Sequence, residues 1–303
     1  MLAIVLIACC QMANITAWAG DFEDGVAAAQ KGDFATALRL WKPLAEQGNS
    51  SAQYNLGLMY DNGQGVAQDY KTAVKWYTLA AEQGIADAQT NLGAMYQTGH
   101  GVAQDYKTAV KWYTLAAEQG NADAQKNLGV RYGKGQGVAQ DHKTAVKWYT
   151  LAAQQGDADA QYNLGVRYGK GQGVAQDYKT AVKWYTLAAE QGLASAQSLL
   201  GMMYETGKGV AQDYKTAVKW YTLAAEQGNA DAQSLLGMMY ETGKGVAQDD
   251  VKAYTWFNIA AIDGDQDAIK GRDIVAKLMT PAQLAQAQQL ATRCMKSSYK
   301  DCD

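Results

Sequence analysis

Proline and phenylalanine are nearly missing, with 2 and 3 residues among 303. A chain so poor in helix breakers, and rich instead in Ala, Lys, Gln and Leu, is biased towards helix throughout. Histidine is limited to His100 and His142, which fall in no metal-ligand spacing. A strong charge of either sign is missing too. The formal net charge of −3 gives no reason to expect a nucleic acid or an anionic membrane as partner. Long apolar runs are absent: the one near the start, residues 2–10, is too short to span a bilayer. Cysteine is confined to the two ends, with nothing between Cys10 and Cys294. No cofactor is called for.

The ends of the chain carry their own signals. The first charged residue is Asp21. Before it stand the apolar run and then Ala17-Trp18-Ala19, a small-x-small pattern. The expectation is a secretory signal peptide over 1–19, cut after Ala19, although no Lys or Arg precedes the run. Leu6-Ile7-Ala8-Cys9 offers a rival reading as a lipoprotein box acylated at Cys9, but the apolar stretch before it is brief. Cleavage after Ala19 leaves Cys294 and Cys302, and two cysteines in an exported chain predict one disulfide between them. The expected destination is the periplasm or the secreted fluid.

What dominates the middle is repetition. GVAQDYKTAVKWYTLAAEQG occupies 65–84 and returns unchanged at 101–120, 173–192 and 209–228. A copy at 137–156 differs only at His142 and Gln154, and a looser one fills 245–264. The period of 36 residues is the signature of stacked helical hairpins, and it replaces the usual expectation of two globular domains for this length. Six units follow at 49–264, each predicted as two helices. In the first unit Ala52, Leu56 and Tyr60 form a stripe, and Gly63 ends that helix. Asp69 caps the second helix, whose apolar face is Ala73, Trp76, Tyr77, Ala80 and Ala81, and Gly84 stops it. The small Gly57 and Ala80 would let the two helices approach. Residues 20–48 read as a partial repeat that caps one end, with Asp33 opening its second helix. Residues 265–303 cap the other, with Thr280-Pro281-Ala282-Gln283 opening the last helix as a capping box. The fold class is all-α: a right-handed α/α superhelical solenoid of six helix-turn-helix repeats between capping helices.

The unit A-x-x-x-L-G-x-x-Y-x-x-G-x-G-V, followed by D-x-x-x-A-V-x-W-Y-x-x-A-A-x-x-G, resembles the Sel-1-like repeat, a relative of the tetratricopeptide repeat, across 49–264. The resemblance implies paired antiparallel helices, with first helices on a concave face and second helices on a convex one. It also implies an adaptor or scaffold for protein complexes, in bacteria often at the envelope.

Comparison among the units then singles out the first helix, because the second barely changes. On the side away from Leu56 lie Tyr54, Asn55 and Leu58. The matching positions hold Thr90, Asn91 and Ala94; Lys126, Asn127 and Val130; and Tyr162, Asn163 and Val166. The last two units carry Ser198, Leu199 and Met202, then Ser234, Leu235 and Met238. In related repeats the Asn before Leu-Gly bonds the backbone of a bound peptide, so the resemblance implies that role for Asn55, Asn91, Asn127 and Asn163. Leu199 and Leu235 replace that Asn, and with Met202 and Met238 they predict an apolar end to the groove. Arg131 and Arg167 replace Met59 and predict a basic patch in the middle units, either a carboxylate site or a solubilising surface. Drift after duplication, with Asn kept only as a helix-surface residue, is the alternative for the whole pattern.

The expected function is an exported, non-enzymatic scaffold that takes a protein or peptide in the concave groove. Two alternatives stand beside it. One is a cell-wall or β-lactam-binding protein, since Ser297-Ser298-Tyr299-Lys300 matches S-x-x-K. Against it, no S-D-N or K-T-G accompanies the motif, and the cysteine pairs of relatives with weak β-lactamase activity are missing here. The other is a structural spacer with no specific ligand. Lys134 and Lys208 between glycines imitate a phosphate loop, but no Ser or Thr follows either.

Overall fold

The computed structural model describes residues 20–302, so the leader expected at 1–19 and the acylation alternative at Cys9 lie outside the described residues. Among the described residues all regular structure is helical, and no helix is long and apolar enough to cross a membrane. The chain divides into two compact units, one up to Trp148 and one from Tyr149 onwards.

The first unit opens with α1 (20–30) and α2 (Phe34–Glu46). It continues with α3 (Ser50–Asn62), α4 (Tyr70–Glu82), α5 (Ala86–Thr98), α6 (Tyr106–Glu118) and α7 (Ala122–Lys134). Helix α8 (His142–Gln154) runs from the first unit into the second. The second unit continues with α9 (Ala158–Lys170), α10 (Tyr178–Glu190), α11 (Ala194–Thr206), α12 (Tyr214–Ala225) and α13 (Ala230–Thr242). It closes with α14 (Asp250–Ala260), a 3₁₀ turn (Ala261–Asp263), α15 (Gln266–Leu278) and α16 (Pro281–Lys296).

Local chemistry sets the ends of these helices. Asp69 caps α4: its Oδ1 accepts from the Lys71 and Thr72 amides at 3.0 and 3.3 Å, and Oδ2 accepts from the Thr72 hydroxyl at 2.6 Å. The same cap recurs at Asp105, Asp141, Asp177 and Asp213. Asp33 caps α2 as expected, through the Thr36 amide. Thr280 and Gln283 form the reciprocal capping box of α16, with Pro281 behind the cap. The loop glycine Gly101 has φ +72°, and a Cβ there would drive into the backbone of Tyr70 at the start of α4. Only glycine meets both demands, so this loop seats one repeat on the one before it.

Inside the first hairpin Gly57 faces the ring of Tyr77, so the absent side chain makes room for that ring. In the next hairpin a Cβ on Gly93 would stand 2.8 Å from the Tyr113 ring. The tyrosines are fully buried, as are Ala73, Ala80 and Leu56. Trp76 is only half-buried and packs on the preceding cluster of Trp41, Leu44 and Leu56. The second helices also leave a leucine per repeat in the open, Leu79 and Leu115 in the first unit and Leu187 and Leu223 in the second, beside their exposed lysines. Cys294 and Cys302 are joined as a disulfide that ties the tail to α16.

Candidate functional site

Before any surface can bind a partner, its polar groups must be free of structural duty. Much of the first-helix face is not. Gln53 is 3 % exposed. Its Nε2 donates to the Ala45 carbonyl at 3.0 Å, and its Oε1 accepts from Gln83 Nε2 at 2.7 Å. Gln89 repeats both bonds with Ala81 and Gln119, and in the second unit Gln161 and Gln197 do so with Ala153 and Gln191, and with Ala189 and Gln227. Each such Gln adds a second donor to a carbonyl at the C-terminal end of one second helix, beside the backbone amide that already bonds it, and clamps the next hairpin to it. Sequence reading missed this clasp. Its signal was constancy: positions 53, 89, 125, 161, 197 and 233 are all Gln, whereas the next residue varies.

In the first unit several of the predicted groove residues, Tyr54, Thr90, Lys126 and Arg131 among them, are engaged with the scaffold. Tyr77 donates to Asp61 Oδ2 at 3.1 Å. The Asn91 amide lies within reach of the Tyr54 and Tyr77 hydroxyls and favours their ionised forms, against the larger effect of burial, which holds both phenols above their ordinary value. A small cleft of about 180 Å³ remains beside Asp61, Asn91 and His100. Asn55, Leu58, Asn127 and Val130 are partly buried. Lys126 pairs with Asp123 at 3.1 Å.

Two expectations are corrected here. Thr90 is buried, and its hydroxyl donates to the Ala86 carbonyl at 2.9 Å, so it presents nothing to a ligand. Arg131 is also buried, at 6 % exposure, with its guanidinium 5.2 Å from the centre of the Tyr106 ring. It does not build a surface basic patch. The position belongs to the core, where Met59 and Met95 are equally buried, and the Arg stem substitutes for the thioether while the cation rests on an aromatic face. Arg167, partly exposed, donates to Gln172 Oε1 at 2.8 Å and faces the Tyr149 ring at 5.9 Å. Lys208, the residue that imitates a phosphate loop, lies over the Tyr178 ring.

The second unit is different. An open groove of about 440 Å³ has Tyr162, Leu199, Met202, Leu235 and Met238 in its lining, so the structure brings these predicted residues together. Asn163 stands apart from it and donates to the Asp159 carbonyl at 2.8 Å. Met202 and Met238 are 37 % and 39 % exposed. Ser198 and Ser234 line the floor, and the rim holds Asp231, Asp265 and Asp267. Sequence reading named none of the three carboxylates. Asp231 faces Tyr162 closely enough that, after burial, it is the next cause holding that phenol above its ordinary value.

No group of three or more His, Cys, Asp or Glu among the described residues is placed to hold a metal ion. The Ser297 hydroxyl of the S-x-x-K match donates to the Cys294 carbonyl and accepts from the Lys300 and Asp301 amides. Those bonds give it a local structural task at the end of α16.

No curated protein matches the chain. Among solved structures, a Sel1 repeat protein from Oxalobacter formigenes is 34 % identical, over 79 % of this chain and 96 % of that one, with a TM-score of 0.73. The protective antigen c5321 of uropathogenic Escherichia coli, which displays an SLR fold, is 27 % identical over 95 % of each chain, with a TM-score of 0.46. The Sel1 repeat model matches seven consecutive segments, 8–49, 50–85, 86–121, 122–157, 158–193, 194–229 and 230–265. The hairpin repeat of 36 residues, its Gly–Tyr packing and this unbroken run of matches lead to one conclusion: the chain belongs to the Sel1 repeat family.

Proposed function

We propose that the protein is an exported, non-catalytic scaffold that holds a protein or peptide segment against its first helices, with the groove of the second unit as the main seat. The Sel1 repeat fold is typical of protein–protein interaction scaffolds. The groove is the observation that carries the reading. Its open lining presents two exposed thioethers beside partly buried leucines, a composition suited to adaptable apolar contact. The buried Cys294–Cys302 disulfide and the small-x-small pattern at Ala17 to Ala19 support an oxidising compartment.

A pull-down from envelope extract tests the seat. The paired variant Met202→Glu with Met238→Glu should lose partners that the parent recovers, while Lys107→Ala with Lys111→Ala, on an exposed second-helix face, should retain them. Equal recovery by the groove variant would sink the proposal. The intact mass of the exported protein tests the leader, and a chain beginning at Gly20 is the expected result.

A further inference from the structure

Taking the groove as the docking seat proposed above, we infer that its occupant is a peptide segment in which Lys or Arg flanks an apolar side chain. The argument is one of charge complementarity over an apolar floor. Leu199, Met202, Leu235 and Met238 supply the apolar part. The charged groups in the lining are Asp231, Asp265 and Asp267, and no Lys, Arg or His accompanies them.

The helix ends at this place must be counted against them. The N-termini of α13 and α15 open here, and each carries about half a positive charge that would by itself favour an anion. Both are already answered by their own carboxylates. Asp231 lies in the first turn of α13. Asp265 caps α15 by accepting from the Asp267 and Ala268 amides, and Asp267 pairs with the exposed Lys270 at 3.3 Å. Asp231 has no hydrogen bond or ion pair among the described residues. After the dipoles and Lys270 are allowed for, the rim keeps about one negative charge, which repels an acidic segment and attracts a basic one.

Two hydroxyls on largely buried serines remain available in the groove. Ser198 and Ser234 are 5 % and 7 % exposed, line the groove, and make no side-chain hydrogen bond among the described residues. Thr90, at the same repeat position in the first unit, spends its hydroxyl on the Ala86 carbonyl. Unspent hydroxyls in the groove are suited to the backbone or the ammonium of a ligand. Packed helices lie 8–10 Å apart, so the steps from α9 to α15 cover roughly 25–30 Å, or eight to nine extended residues.

The test is a positional-scanning library of nonapeptides bound to the full chain, the Asp231→Asn with Asp267→Asn variant, and the Met202→Ser with Met238→Ser variant, which removes apolar contact without adding charge. The expected result is a preference of about tenfold for Arg over Glu beside an apolar residue, since reversal turns attraction into repulsion. The paired Asp→Asn variant should cut that preference at least about threefold. Selection of acidic or purely apolar peptides, weakened by the paired Met→Ser variant, would overturn the basic segment and leave the docking seat standing. Binding indifferent to the Met→Ser pair, or no binding of any peptide, would overturn both.

Discussion

Thr90 in the first unit and Ser198 and Ser234 in the second occupy the same repeat position, yet the threonine bonds its own helix and the serines leave their hydroxyls to a groove. One residue further along, Asn91 attends two tyrosines, whereas Leu199 and Leu235 face the groove. The two units share a scaffold and differ in what that scaffold has consumed. A polar residue on a repeat surface is a binding group only when no neighbour has already taken its bonds.

The sharpest way to break this comparison is to remove a residue that belongs to the shared scaffold. Tyr113→Ala takes out a fully buried ring that packs on Gly93 and whose hydroxyl donates to Gln97 at 2.9 Å. The expected loss is about 3–5 kcal/mol, read from the urea midpoint of the first unit's unfolding. A midpoint near that of the parent would mean that the ring is not the hinge of the hairpin. Next in size is Gln89→Leu, which removes two side-chain bonds, one to the Ala81 carbonyl and one from Gln119, and leaves each with its other partner, the Gly84 amide and the Leu115 carbonyl. It should cost about 1–3 kcal/mol, and a neutral result would make the clasp an ornament of the packing.

A matched pair then asks whether spent bonds matter at one repeat position. The Tyr221 hydroxyl donates to Glu205 Oε2 at 2.7 Å. At the place of Glu205 the repeat of Tyr185 has Gly169, which offers no side-chain acceptor. Tyr221→Phe should therefore destabilise by about 1–2 kcal/mol and Tyr185→Phe by less than about 0.5 kcal/mol. Equal costs in thermal unfolding would refute the distinction.

These residues also show what the sequence made legible. Caps were readable because they obey local rules: Asp69, Thr280 with Gln283, and glycines such as Gly63 act on amides and carbonyls within a few residues. The apolar end of the groove was readable because Leu199 and Leu235 break a pattern of Asn. The Gln clasp was not, since its carbonyl is eight residues back and its second partner thirty residues on, in another helix. Arg131 was misread for a similar reason. A guanidinium looks like surface, and only the Tyr106 ring above it shows that the position is core. The acidic rim was missed because Asp231, Asp265 and Asp267 begin separate helices and meet only in the fold.

Acid should weaken the scaffold without distinguishing the units. The Asp105 carboxyl is held below its ordinary 3.8 by the Thr108 hydroxyl first, then by the Thr108 amide. A depressed folded value means that the stabilisation is complete above 3.8 and fades as pH falls through the lower folded value. Thermal midpoints should drop as pH falls below 3.8 towards the lower folded value, and Asp105→Asn, which keeps an N-cap but cannot titrate, should make that drop slightly smaller. The five Asp caps lie in both units, so a drop confined to one would contradict the shared design.

The smallest expected effect on stability falls on the open side of the comparison. Met202→Ser and Met238→Ser touch side chains that stand well exposed and serve no clasp, so each should change the unfolding free energy by less than about 0.5 kcal/mol. The same changes should weaken peptide binding, because they remove apolar contact from the groove floor. A residue whose loss costs binding and not stability is held for the partner, and one whose loss costs stability is held for the fold. If either methionine proved as costly to stability as Gln89, the groove would be part of the clasp, and the contrast between the two units would collapse.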